Sequence, residues 1–480
     1  MTSEPGISRQ GGAGTVELPG AAAIDRGRLL LLAVAAGITL APLNSTMIAV
    51  ALPEIQGAFG ISITASSWLV TLYLVAMAAG QPVGGRLGDL YGRRRVYLAG
   101  LIGFGLASLG CALAPGLEWL IAFRMLQGRA GALSLPNGTA MIREAIPEDR
   151  RGAAFGTIGM AAGIAAGLGP PLGGILVHSF GWGAIFWANV PVIAMALMLG
   201  WRSLPRPRRA SPARAGFDMP GTALLTIALT LVILIPTALK VGGAMFAIGA
   251  GLLGLATGWG FVRWELKASA PVIDLRLFAP RHFAAACAAV ALGNLVMYTT
   301  LLALPLFLEG VLRRGVQVSG YTLVVLSALS ALFGPIGGRW SDRAGRWLPA
   351  VAGGAAILLG AIVVALGVGW ERIPVIVGGL AIMGVGLGTS GAAIQTAAME
   401  SVPLARAGSA AGIFSTSRYL GSIVGSTILA ASFARRAGES DGGRYLVLFT
   451  GLAVVAIGAI IANALVADRQ IRPVEVTSAT

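Results

Sequence analysis

Along the chain, apolar runs about 20 residues long alternate with short polar interruptions. A run of that length matches the hydrocarbon thickness of a bilayer when it is coiled as an α-helix. Helices also satisfy every backbone polar group internally, as a lipid environment demands. Fourteen such runs are read, near 29–50, 66–85, 96–114, 117–139, 152–176, 183–201, 219–239, 243–262, 283–308, 319–338, 348–368, 373–398, 408–433 and 445–466. The expected class is therefore an all-α membrane protein with 14 transmembrane helices. An even number of spans puts both termini on one side.

The polar interruptions indicate which side. Arg86, Arg93, Arg94 and Arg95 follow the second run. Arg202, Arg206, Arg208, Arg209 and Arg214 follow the sixth, and Arg339, Arg343 and Arg346 the tenth. The intervening loops are nearly free of basic residues through the first six runs. Arg313, Arg314, Arg435, Arg436 and Arg444 are weaker, late exceptions. Basic residues gather in cytoplasmic loops, so both termini are expected in the cytoplasm.

Composition narrows the function. Hydrophobic residues make up 56% of the chain and charged residues 11%, against about 25% charged in soluble proteins. The net charge of +15 is explained by the cytoplasmic arginines, so no nucleic-acid partner is expected. Cys111 and Cys287 lie in separate apolar runs, and no CxxC or Cys/His cluster suggests a metal. His178 and His282 fall at span ends. The only lysines, Lys240 and Lys267, are not in a phosphate-binding GxxxxGK[ST] loop. Neither ATP hydrolysis nor a cofactor is expected, and an enzyme is not. Residues 1–28 have no cleavable signal pattern.

The chain repeats itself. GGRLGDLYGR at 84–93 and GGRWSDRAGR at 337–346 share GGRxxDxxGR. Gly152-Ala153-Ala154-Phe155-Gly156 is echoed by Gly408-Ser409-Ala410-Ala411-Gly412 at nearly the same offset. Such echoes mark parallel repeats. The expected organisation is a cytoplasmic tail at 1–28, a six-helix bundle at 29–201 and a Pro- and Arg-rich linker at 202–218. An inserted two-helix hairpin at 219–267, a linker at 268–282, a second six-helix bundle at 283–466 and a tail at 467–480 follow.

GGRLGDLYGRRR resembles the loop signature of the major facilitator superfamily, and fourteen spans resemble its drug:proton antiporter branch. LNSTMIAVALP at 43–53, FRMLQGRAGA at 123–132, GIAAGLGPPLGG at 163–174, WGAIFWANVP at 182–191 and PVIDLRLF at 271–278 add to the likeness. The resemblance implies the major facilitator fold in a bacterial cytoplasmic (inner) membrane. It also implies export of small organic or amphipathic compounds such as drugs, antibiotics or dyes in exchange for protons, with the proton gradient as the energy source; a monomer is expected. Uniport or import of a small polar solute is the nearest alternative, and a non-transporting membrane sensor is another.

Particular residues carry these expectations. Asp89 is expected to place its carboxylate at the start of the thirteenth span, where free N–H groups favour an anion by about 0.3–1 kcal/mol. Asp342 should do the same at the fifth span, with Gly85, Gly92, Arg93 and Arg346 completing a latch. Arg124 stands at membrane depth, which costs roughly 2.5–3.5 kcal/mol on insertion scales. The resemblance places it near the proton path, tuning a carboxylate. Arg418 is a second cation at depth. Asn44 stands where the branch carries an aspartate, so the coupling acid must lie elsewhere, with Glu118, Glu309 and Glu400 as candidates. Gly159, Gly163 and Gly167, spaced by four, share one helix face. With Gly169, Pro170, Pro171, Gly173 and Gly174 they form a thin, bent helix that resembles the antiporter seal. Trp68, Tyr73, Tyr298 and Phe414 are candidate lining for the substrate cavity.

Overall fold

A computed structural model describes residues 21–61, 63–205, 218–269, 271–279, 281–433 and 442–466. The described residues form α-helices and short 3-10 turns, without strand. Much of the predicted linker at 202–218 and most of both tails lie outside them.

Five long helices come first: α1 (Ala21–Phe59), α2 (Ile63–Tyr91), α3 (Arg93–Ala112), α4 (Leu117–Ala145) and α5 (Arg151–Phe180). The predicted sixth run is divided into a single turn, α6 (Ala184–Trp187), and α7 (Asn189–Ser203). The runs at 219–239 and 243–262 form α8 (Met219–Glu265), broken at Gly243, whose φ of 72° favours glycine. The chain folds back there, so that Gly254 meets Leu231 and Val232, and the Trp264 indole donates to Asp218. Then come α9 (Arg281–Gly310), α10 (Val316–Ala344), α11 (Trp347–Gly369), α12 (Ile373–Glu400), α13 (Ala407–Phe433) and α14 (Gly442–Ala464).

Among the described residues, eleven helical stretches are long and apolar enough to cross a membrane, and Met219–Val232 is a shorter apolar helix. Helices α4 and α13 are outside the eleven. They are as long as the others but interrupted by polar side chains, Arg124, Gln127 and Arg129 in one and Arg418 among serines in the other.

Helix α1 packs on α5 and α7, α2 on α4, and α3 on α4. Later in the chain, α9 packs on α13 and α14, α10 on α12, and α11 on α12 and α14. Two seams join the early helices to the late ones: α2 against α13, and α5 against α10. Helix α8 leans on α2 and α13. One apolar core includes Val34, Tyr97, Phe104, Met141 and Ile193, and another Phe307, Ile357, Val364, Leu380 and Phe449.

Candidate functional site

The two seams carry the same chemistry. Glycines let the helices touch: Gly85 lies against Gly408 at one seam, and Gly338 against Gly152 at the other. A side chain at any of them would overlap the opposite backbone. The aspartate of each motif copy then caps the facing helix. Asp89 accepts from the Gly408 and Ser409 N–H groups at 3.0 and 2.8 Å and from the Ser409 hydroxyl at 2.9 Å. Asp342 accepts from the Gly152 and Ala153 N–H groups, both at 2.8 Å.

The match extends outward from each aspartate. Gly92 and Gly345 have φ of 96° and 87°, a region that side chains avoid. The turn they allow brings the next arginine back over its own aspartate. Arg93 bonds Asp89 at 3.1 Å, Glu144 at 3.0 Å and the Leu404 carbonyl at 2.6 Å. Arg346 bonds Asp342 at 2.8 Å, Glu400 at 3.0 Å and the Glu148 carbonyl at 3.0 Å. Burial opposes the charge of Arg346, but its bonds to Glu400 and Asp342 outweigh burial and raise its pKa above the ordinary value. Arg143 adds bonds to the carbonyls of Val402 and Pro403.

Glu400, one of the candidate coupling acids, is the last residue of α12. It bridges Arg346 and Arg151, at 3.0 and 3.6 Å, as Glu144 bonds Arg93 in the other seam. Glu144 received no role from the sequence, although the repeat could have paired it with Glu400. Glu118 and Glu309 are exposed near helix ends and make no ion pair among the described residues.

Arg124 is fully buried, and its partner is not the expected carboxylate. It donates to the Asn44 side-chain oxygen, to Gln127 at 2.7 Å and to the Leu69 carbonyl at 3.3 Å. Its guanidinium lies over the Tyr73 ring, 4.1 Å from the centroid, a favourable cation–π position. Gln127 passes the network on to Ser108, which also accepts from Asn189. The sequence singled out Arg124, Asn44 and Tyr73 separately, and the packing of α1, α2 and α4 brings them together. Arg418 sits over Phe414 at 5.7 Å. Trp68 and Tyr298 are half-buried, while Tyr73 and Phe414 are buried.

The α5 glycines divide differently from their spacing. Gly163 meets Ala331 of α10, and Gly169 and Gly173 meet Thr46 and Met47 of α1. Gly159, Gly167 and Gly174 have open space around them, so the shared face of 159, 163 and 167 is not one contact surface. Gly152 and Gly156 instead provide the close approach to α10. Pro170 and Pro171 lie within α5, which continues past them.

The sequence also passed over the foot of α8. There Asp218 caps the helix through Gly221 at 2.9 Å, Glu265 is buried beside it, and Asp274 pairs with Arg406 at 2.5 Å. The turn at Leu404–Arg406 therefore joins the α8 foot to the Asp89 seam.

The sequence pattern of the Major Facilitator Superfamily matches residues 34–426. An uncharacterized MFS-type transporter of Bacillus subtilis, YvkA, is 37% identical over 83% of this chain and 89% of its own. The multidrug resistance protein Stp of Mycobacterium tuberculosis is 33% identical, over 85% of this chain and 76% of its own. Among solved structures, the MFS proton:xylose symporter XylE superposes with a TM-score of 0.65 at 13% identity, covering 93% of this chain and 97% of that one.

Proposed function

Because the chain belongs to the Major Facilitator Superfamily, we propose that it exports small amphipathic organic compounds across a bacterial inner membrane, in exchange for protons. It is a multi-pass membrane transporter, not an enzyme. In this reading fourteen helices span the bilayer as two six-helix bundles, 29–201 and 283–466, with the α8 hairpin inserted between them. The arginine-rich end faces the cytoplasm, as the distribution of basic residues favours.

One observation carries the mechanism: the matched contacts of Asp89 and Asp342 across the two seams. Both lie at the arginine-rich end, and both need the two bundles to be close there. Rocking the bundles apart breaks them together, so they act as latches of a state closed to the cytoplasm. Alternating access around a central site is the motion that such repeats permit. Export of amphipathic compounds is supported by the name of the multidrug resistance relative.

A second reading concerns energy. Asn44 cannot carry a proton, and Arg124 rests on neutral acceptors. This favours transport driven without a central acid. The test is efflux of a compound panel from cells expressing the chain, with and without a protonophore. Proton-coupled export predicts at least one compound whose accumulation falls several-fold and recovers with the protonophore. Protonophore-insensitive export would instead favour downhill uniport that neither protons nor the membrane potential drive, and no efflux of any compound would remove the export reading.

A further inference from the structure

Among the described residues, the middle of this protein carries positive charge and no negative charge to match it. Every aspartate and glutamate within a helix, among those residues, lies within five residues of that helix's end. Arg124 and Arg418 lie deeper, Arg418 eleven residues into α13 and so roughly 16 Å along it. Buried carboxylates are the usual partners of such arginines. Here Arg124 is held only by neutral acceptors, and its second terminal nitrogen has no hydrogen-bond partner although it is buried. The amide nitrogen of Asn44 beside it is also buried without a partner.

Arg418 is the more accessible of the two. Around α13, Gly412 and Thr416 face α2, while Gly421 and Gly425 face α9. Arg418 lies between those two faces, with buried Ala411 and Ser415, and away from exposed Val424. It is half-buried, and no hydrogen bond or ion pair reaches its guanidinium among the described residues. Tyr419, next to it, packs in one cluster with Tyr73, the ring beneath Arg124. Tyr73 and Tyr419, from two helices, therefore link the level of one cation to that of the other. Tyr298 stands on α9, which packs against α13.

We infer that the compound carried is an amphipathic organic anion, its acidic group on Arg418 and its ring system among Tyr73, Tyr298 and Tyr419. This rests on the transport reading and gives it a substrate class. An aromatic carboxylate or sulfonate suits a planar guanidinium, which binds such groups through paired hydrogen bonds. Tyrosine rings supply apolar contact with little entropy loss. A cationic drug would instead meet like charge in a medium of low dielectric. An anion also relieves the need for a central acid. A membrane potential of about 100 mV favours moving one negative charge toward the positive side by roughly 50-fold.

The test uses the full chain in proteoliposomes with an imposed potential and three probes sharing one ring system: pyrenebutyrate, pyrenebutanol and pyrenebutyltrimethylammonium. The carboxylate should move about tenfold faster than the cation. Arg418→Gln should slow the carboxylate about tenfold, with Arg418→Lys intermediate. Binding of pyrenebutyrate to detergent-solubilised protein, read by fluorescence transfer from tryptophan, should weaken about tenfold in Arg418→Gln while pyrenebutanol binding is unchanged. That comparison separates loss of the charge from loss of the fold. Faster transport of the cation, or pyrenebutyrate transport and binding indifferent to Arg418→Gln, overturns the anion assignment and leaves export standing. If no pyrene probe and no compound of the efflux panel moves, both readings fall together.

Discussion

Arg124 joins three helices through one guanidinium, bonding Asn44 of α1, Leu69 of α2 and Gln127 of its own α4. The sequence flagged Arg124 because a cation at depth is costly, and Asn44 because it departs from the aspartate of the resemblance. It could not bring them together, since they stand 80 residues apart and meet only through helix packing. Asn44→Asp should give Arg124 an ionic partner and strengthen that contact by about 1.5–3 kcal/mol, offset in part by the cost of burying a second charge. Transport, measured from external pH 5 to 8, should become more dependent on pH than in the parent protein. An unchanged profile would show that this network takes no part in the cycle. Gly92 and Gly345 teach a related lesson. Their place in the repeated motif was legible, but the positive φ that requires glycine appears only in the folded turn.

Helix α5 shows how far spacing alone can be trusted. A four-residue glycine period predicts one close-packed face, yet Gly159 and Gly167 have open space where a side chain would stand. The contact with α10 uses Gly152, Gly156 and Gly163, while Gly169 and Gly173 serve α1. Period places residues on a face, but the crossing of two helices decides which of them is reached. Gly156→Val should force α5 from Gly334 and Pro335, costing about 1–3 kcal/mol of stability and most of the transport activity. Gly167→Ala should be neutral or stabilising by up to about 1 kcal/mol, because glycine weakens a helix interior. Thermal unfolding of the two purified variants decides the matter, and the opposite order would contradict the seam described for α5.

Across the whole molecule, the proposed latches operate as a pair. Asp89 and Asp342 stand 253 positions apart, yet each caps the facing helix of its own seam. Replacing either by asparagine removes the charge that strengthens those bonds and leaves Arg93 with Glu144, or Arg346 with Glu400, as its remaining anion. Each charge-assisted contact is worth about 1.5–3 kcal/mol. Asp89→Asn or Asp342→Asn alone should therefore shift the closed-to-open ratio at the arginine-rich end by roughly tenfold, and the double variant by close to the product. Spin labels at exposed positions 95 and 343 can read this ratio as a distance distribution. Distributions identical to the parent in all three variants would rule out the latches. Glu144 and Glu400 fit the same picture as outer anchors for the two motif arginines.

Runs of about 20 apolar residues already make this chain helical and membrane-embedded, because they allow little else. Its repeat is equally legible, because both copies of GGRxxDxxGR follow an apolar run and precede the same turn. Tertiary structure decided the pairings. Glu400 became an anchor, Arg124 took an asparagine, and the α8 foot came to lean on the turn at Leu404–Arg406. Local pattern fixes which way the backbone coils, since its hydrogen bonds join residues four apart. The partner of Arg124 across 80 residues depends on how the finished helices cross, and no local pattern encodes that.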